Sequence, residues 1–201
     1  MKPRPGFVLA VIGSFLAVAV SASAQTVNKK APEPGNVAVE TFTGFAVSVT
    51  SGQSGVVEIV INRWSTDGER ALLENVLKAS GSQAMVNIMQ DLPQVGYIKG
   101  SETMGDALFY ARSTDLPDGT RQVVIATNRP ISAAASLSPG AANKYDATVI
   151  EMRFPKGAKK GEGKIVVAGK ASIDPKTGRL KLTNYSGEPV RLESITVKDK
   201  S

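Results

Sequence analysis

The chain has 201 residues, 42% of them hydrophobic, with 24 Lys plus Arg against 18 Asp plus Glu and a net charge of +6. It has no His and no Cys, which removes disulfides, thiolate and imidazole metal ligands, Cys or His nucleophiles and the Ser-His-Asp triad. The remaining composition is that of a globular chain, neither disordered nor membrane-spanning, and it points to no cofactor.

The first residues read as an address. Lys2 and Arg4 precede an apolar run from Phe7 to Val20, and Ser21-Ala22-Ser23-Ala24 then offers small residues at a cleavage point. That is the layout of a secretory signal peptide over residues 1–24, so the expected location is periplasmic or extracellular. The apolar run is 14 residues long, whereas a membrane span needs about 20. With no Cys and no Arg-Arg pair, neither a lipobox nor a twin-arginine route is indicated. Cleavage would leave a net charge of +4, because Lys2 and Arg4 are the only charges removed. Residues 25–36, with Pro32, Pro34 and Gly35, have nothing to bury and read as a flexible linker. Residues 37–201 then form a single β-rich domain, held by its core in place of disulfides.

From Val37 the period is two. Val39, Thr41, Thr43, Phe45, Val47 and Val49 share one face of a first strand. After the turn Gly52–Gly55, Val57, Ile59 and Ile61 share one face of a second. At Thr66-Asp67-Gly68-Glu69 the S/T-x-x-E form of a capping box appears. Leu72, Leu73, Val76 and Leu77 follow at helical spacing, Gly81 can close that helix, and Ser82 can cap a second with Met85, Ile88, Met89 and Leu92. Residues 66–92 are therefore expected to form a helical hairpin lying on a sheet.

Strand signals resume over Val95–Gly100, Ala107–Ser113, Arg121–Asn128, Ala147–Phe154, Lys164–Ile173, Arg179–Asn184 and Pro189–Val197. Leu116-Pro117-Asp118-Gly119, Asp174–Gly178 and Ser186–Pro189 carry turn chemistry. In the last strand Val190 and Leu192 have one parity and Ile195 and Val197 the other, so a bulge near Glu193-Ser194 is expected. The expected fold is mainly β, α+β at the margin: one antiparallel meander of eight or nine strands closing into a barrel or folding into a sandwich. The long Ala- and Ser-rich connection 130–146 reads as a loop bordering a site or as a plain flexible loop.

Catalytic signatures are missing. There is no phosphate loop, no G-x-S-x-G elbow, no S-x-x-K and no EF-hand loop. Asp115 and Asp118 could share a weak cation, but Pro117 and Gly119 mark them first as turn formers, and no metal site is assigned. Glu58 and Glu151 sit inside apolar strands. Facing inward they would be site candidates; facing outward they would pair with Arg side chains across strands. The aromatic residues do not interleave with a basic stripe, so no nucleic-acid partner is expected. Charge is uneven: residues 151–201 hold 12 basic and 6 acidic residues, residues 25–150 hold 10 and 12.

Several segments together resemble a family. They are Arg63–Asp67, Val95–Ile98, Tyr110–Arg112, Val124–Ile131, Ile150–Met152, Asn184-Tyr185 and Glu188–Leu192. The chain resembles exported bacterial proteins of unknown function over roughly residues 40–197. The resemblance implies export and a single domain and transfers no active site. Lipocalin-like barrels also share an eight-stranded meander, but the Gly of their early G-x-W is missing before Trp64, so that likeness is architectural.

Binding is thus expected over catalysis. The leading expectation is a small apolar or amphipathic ligand in a barrel mouth or sandwich cleft, held by Trp64, Met85, Met89, Tyr97, Tyr110 and Arg112. The alternative is an envelope interaction protein that docks on an anionic surface through Lys156, Lys159, Lys160 and Lys164. A carboxylate hydrolase would need two of Glu58, Glu151, Asp106 and Asp146 across a cleft.

Overall fold

The structure, a computed structural model, describes residues 38–101, 103–132, 134, 147–173, 180–185 and 189–199. The expected signal segment, the linker, and the turns at 174–178 and 186–188 lie outside the described residues, as does most of the 130–146 loop. Among the described residues ten strands and one helix follow in the order β1 (Glu40–Val47), β2 (Ser54–Ile61), α1 (Asp67–Met89), β3 (Gly96–Gly100), β4 (Asp106–Leu108), β5 (Tyr110–Asp115), β6 (Arg121–Thr127), β7 (Ala147–Phe154), β8 (Gly161–Ile173), β9 (Leu180–Tyr185) and β10 (Val190–Asp199).

Every pairing is antiparallel, and the strand order is β4-β3-β2-β1-β10-β8-β7-β6-β5, with β9 paired to β8 alone. Two runs of neighbouring hairpins, β1 to β4 and β5 to β8, are joined by β10, which slots between β1 and β8. The meander is therefore interrupted at its last strand, because β8 is long enough to pair β10 with its first half and β9 with its second. The sheet curls into a nearly closed barrel. Its two terminal strands, β4 and β5, are one stretch of chain broken only at Phe109, so the expected strand Ala107–Ser113 pairs β3 with its start and β6 with its end. Ser65 stitches the free edge of β5: its amide donates to the Ala111 carbonyl at 2.9 Å and its hydroxyl accepts the Ala111 amide at 3.1 Å.

The interior is filled by Phe42, Ile59, Ile98, Ile125, Ile150, Met152 and Leu192, all almost wholly buried. In β1 the inward face is Glu40, Phe42, Gly44 and Ala46, so the face that carries Val39, Phe45 and Val49 points outward. The reason lies across the sheet. The β10 bulge falls between Leu192 and Ile195, with Ser194 at a φ of 51°. A Cβ on Gly44 would lie 3.1 Å from the Glu193 carbonyl and 3.2 Å from Ile195, a tight contact that favours glycine beneath the bulge. The bulge restores the register as the parity slip requires, and Leu192 and Ile195 are both buried.

The helix lies on the outside of the barrel. Leu73, Leu77, Met85, Val86 and Met89 pack against Ala126, Ala147, Val149 and Ala171 of β6, β7 and β8. Its start is the expected capping box: the Thr66 hydroxyl accepts the Glu69 amide and the Glu69 carboxylate accepts the Thr66 amide. The two helical segments meet directly at Gly81 (φ 81°, ψ −174°), with no loop between them, so the expected hairpin is a kinked helix. The Ser82 hydroxyl accepts the Ala171 amide of β8 at 3.2 Å, which ties the kink to the sheet.

Candidate functional site

Both ends of the barrel are covered by its own chain. At the end where β6 leaves and β7 enters, Ile131 and Ala134 fold into the core. Asp106 holds that segment by accepting the Ser132 amide at 2.6 Å and its hydroxyl at 3.1 Å.

At the opposite end, where the chain enters β1, a charged plug sits among rings. Arg121 donates to both Glu40 oxygens at 2.6 Å and to the Ser113 hydroxyl at 2.8 Å. Its guanidinium lies 5.9 to 6.0 Å from the ring centres of Phe42, Trp64 and Phe154. A bidentate pair with stacked rings suits guanidinium, and the low-dielectric surroundings strengthen it. The sequence pattern gave no sign of this plug, because Glu40 and Arg121 lie 81 residues apart and only barrel closure brings them together.

The six residues expected to hold an apolar ligand do not gather. Trp64 packs against the barrel interior as part of the plug. Met85 and Met89 are buried beneath the helix, with Tyr110 beside them in the same layer. Burial raises the Tyr110 pKa. Arg112 points outward and pairs with Asp67 at 2.7 Å. Tyr97 lies on the outer face of β3, with Lys99 over its ring and Gly105 against its edge.

The strand carboxylates take their outward option. Glu58 pairs with Lys99 at 2.9 Å. Glu151 accepts from Gln122 at 2.8 Å and pairs with Arg153 at 2.8 Å and Lys164 at 3.5 Å. Burial pushes the Glu151 pKa up, but the Gln122 hydrogen bond, then Arg153 and Lys164, outweigh it and hold the carboxyl below its ordinary value. Asp106 serves Ser132, and Asp146 lies outside the described residues.

The four lysines divide. Lys164 is on β8, paired with Glu151. Lys156, Lys159 and Lys160 are exposed on the six-residue turn from Pro155 to Lys160 that joins β7 to β8. Among the described residues no acidic side chain lies within ion-pair distance of these three. The Lys156 stem rests against Gly119, so this turn and the Leu116–Gly119 turn stand side by side at the plug end. That neighbouring turn has the expected chemistry, with Gly119 at a φ of 80° and the Asp118 carboxylate accepting the Thr120 amide at 2.9 Å. An open groove of about 530 Å³ runs beside them over β7, β8 and β10. It is lined by Arg153, Lys164 and Arg191 and equally by Glu151, Glu162 and Glu193.

Comparison with protein-family models, with curated proteins and with solved structures finds no match. The expected kinship with exported bacterial proteins gains no support there. Among the described residues no helix is long and apolar enough to cross a membrane.

Proposed function

We propose that this chain is a non-enzymatic, exported interaction domain that docks on an anionic surface through the β7–β8 turn. One observation carries the reading: Lys156, Lys159 and Lys160 stand exposed, without acidic partners among the described residues, at one rim of a barrel filled by its own side chains. Lys164 and Lys99, by contrast, are each matched to a carboxylate. Three cations on one short turn attract an anionic surface by roughly fivefold in affinity each, provided salt does not screen them. A small apolar ligand has less to support it, because the side chains proposed for it are dispersed between the plug, the helix layer and the outer sheet.

The test is sedimentation of the protein with vesicles of phosphatidylcholine alone and with vesicles containing equal parts phosphatidylglycerol. The expected result is binding in excess to the acidic vesicles, weakened on the order of 100-fold by the combined Lys156→Gln, Lys159→Gln and Lys160→Gln changes. Equal binding of the wild type and the triple variant overturns the reading.

A further inference from the structure

We infer that the docking face is the plug end of the barrel and that its partner is the headgroup layer of an acidic lipid bilayer, an inference that rests on the lysine-turn reading above. Two features share that rim. The first is the lysine turn, which begins one residue after Phe154. The second is the chain's entry into the barrel. Glu40, the first residue of β1, is bonded to Arg121, the partner of Phe154 across β6 and β7, and the Phe42 and Phe154 rings lie 5.7 Å apart. Lys198 of β10, exposed and opposite Thr41 of β1, adds a cation at the same end.

The shape of the charge selects the partner. A linear polyanion needs a cationic trough. The groove beside the turn holds three carboxylates for its three cations, so it offers none. The lysines sit instead on the convex tip of two adjacent hairpins, a form that meets a broad plane. The plug holds the rim closed behind them, so docking requires no opening of the barrel. Asp115 at the end of β5 and Asp118 on the neighbouring turn, both exposed, oppose the lysines. Removing their charge with Asp115→Asn and Asp118→Asn should therefore tighten binding several-fold. Lys170 and Lys181 lie on β8 and β9, whose ladder runs past the other end of the barrel, so the opposite orientation is the rival to exclude.

The absence of Cys lets single labels decide the matter. In the full chain, Ala158→Cys places a polarity-sensitive dye on the lysine turn. Met104→Cys places one near the other end, at a side chain 93% exposed. Both proteins are mixed with phosphatidylcholine vesicles, with phosphatidylcholine–phosphatidylglycerol vesicles and with soluble polyphosphate. The expected result is a blue shift at position 158 on acidic vesicles only, with position 104 unchanged. Binding to acidic vesicles with the shift at position 104, or with equal shifts at both, overturns the face while leaving charge-driven docking standing. Binding to polyphosphate without binding to vesicles overturns the bilayer as partner. Binding to neither removes the lysine-turn reading and this inference together.

Discussion

Arg121 is the side chain on which the plug end turns. It is held by a carboxylate that is 8% exposed and is surrounded by three rings. Arg121→Ala would leave Glu40 buried without its cation, and a loss of about 3 kcal/mol in urea unfolding is expected, the low end for a broken buried pair because the Arg121 side chain is 30% exposed. Replacing both partners, Glu40→Met with Arg121→Met, should recover much of that loss, because the desolvated charges disappear together. Glu69 is a second such point. Burial raises its pKa, but the hydrogen bond from Arg63, the Thr66 amide and the Arg63 charge together hold it below the ordinary value. A carboxyl lowered in the folded state stabilises the fold above its unfolded pKa, near 4.3, and that contribution is lost as pH falls through the folded value. Glu69→Gln should therefore lower stability at neutral and alkaline pH and flatten the acid limb of a stability–pH curve, the two proteins converging at low pH. The capping box that positions Glu69 was legible as Thr66-x-x-Glu69. Its pairing with Arg63 was not, since Arg63 lies before the helix and its bidentate bond depends on how the strand exits.

At the scale of elements, alternation and turn residues located most strands, and the parity slip between Leu192 and Ile195 located the bulge before any pairing was known. The inward face of β1 was not legible in the same way. Val39, Phe45 and Val49 make the outward face look more apolar, and the fit of Gly44 beneath the bulge depends on a strand some 150 residues away. The position of β10 was hidden for a similar reason. Short turns imply that neighbours in sequence pair, whereas the length of β8 lets two later strands share its edge. Gly81 gives a test by sign. In a continuous helix Gly81→Ala would stabilise by about 1 kcal/mol. At φ 81° and ψ −174° an alanine is strained, so a loss of about 1–2 kcal/mol is expected in thermal or urea unfolding.

For the whole molecule, the barrel is a scaffold. Its core is occupied, its ends are covered, and strand charges on its outer face are matched across neighbouring strands, as Glu58 with Lys99 and Glu151 with Lys164 show. Uneven charge along the sequence pointed to the C-terminal quarter as basic. It could not tell Lys164, which the β7–β8 register sets opposite Glu151, from the three lysines of the turn. The measurement that tests the account most directly is the salt dependence of binding to acidic vesicles, for the wild type beside the variant combining Lys156→Gln, Lys159→Gln and Lys160→Gln. Wild-type affinity is expected to fall steeply as the Debye length shrinks from about 30 Å at 0.01 M salt to about 8 Å at 0.15 M, with a weak, nearly flat response from the variant. Parallel curves of equal affinity for the two proteins would contradict it.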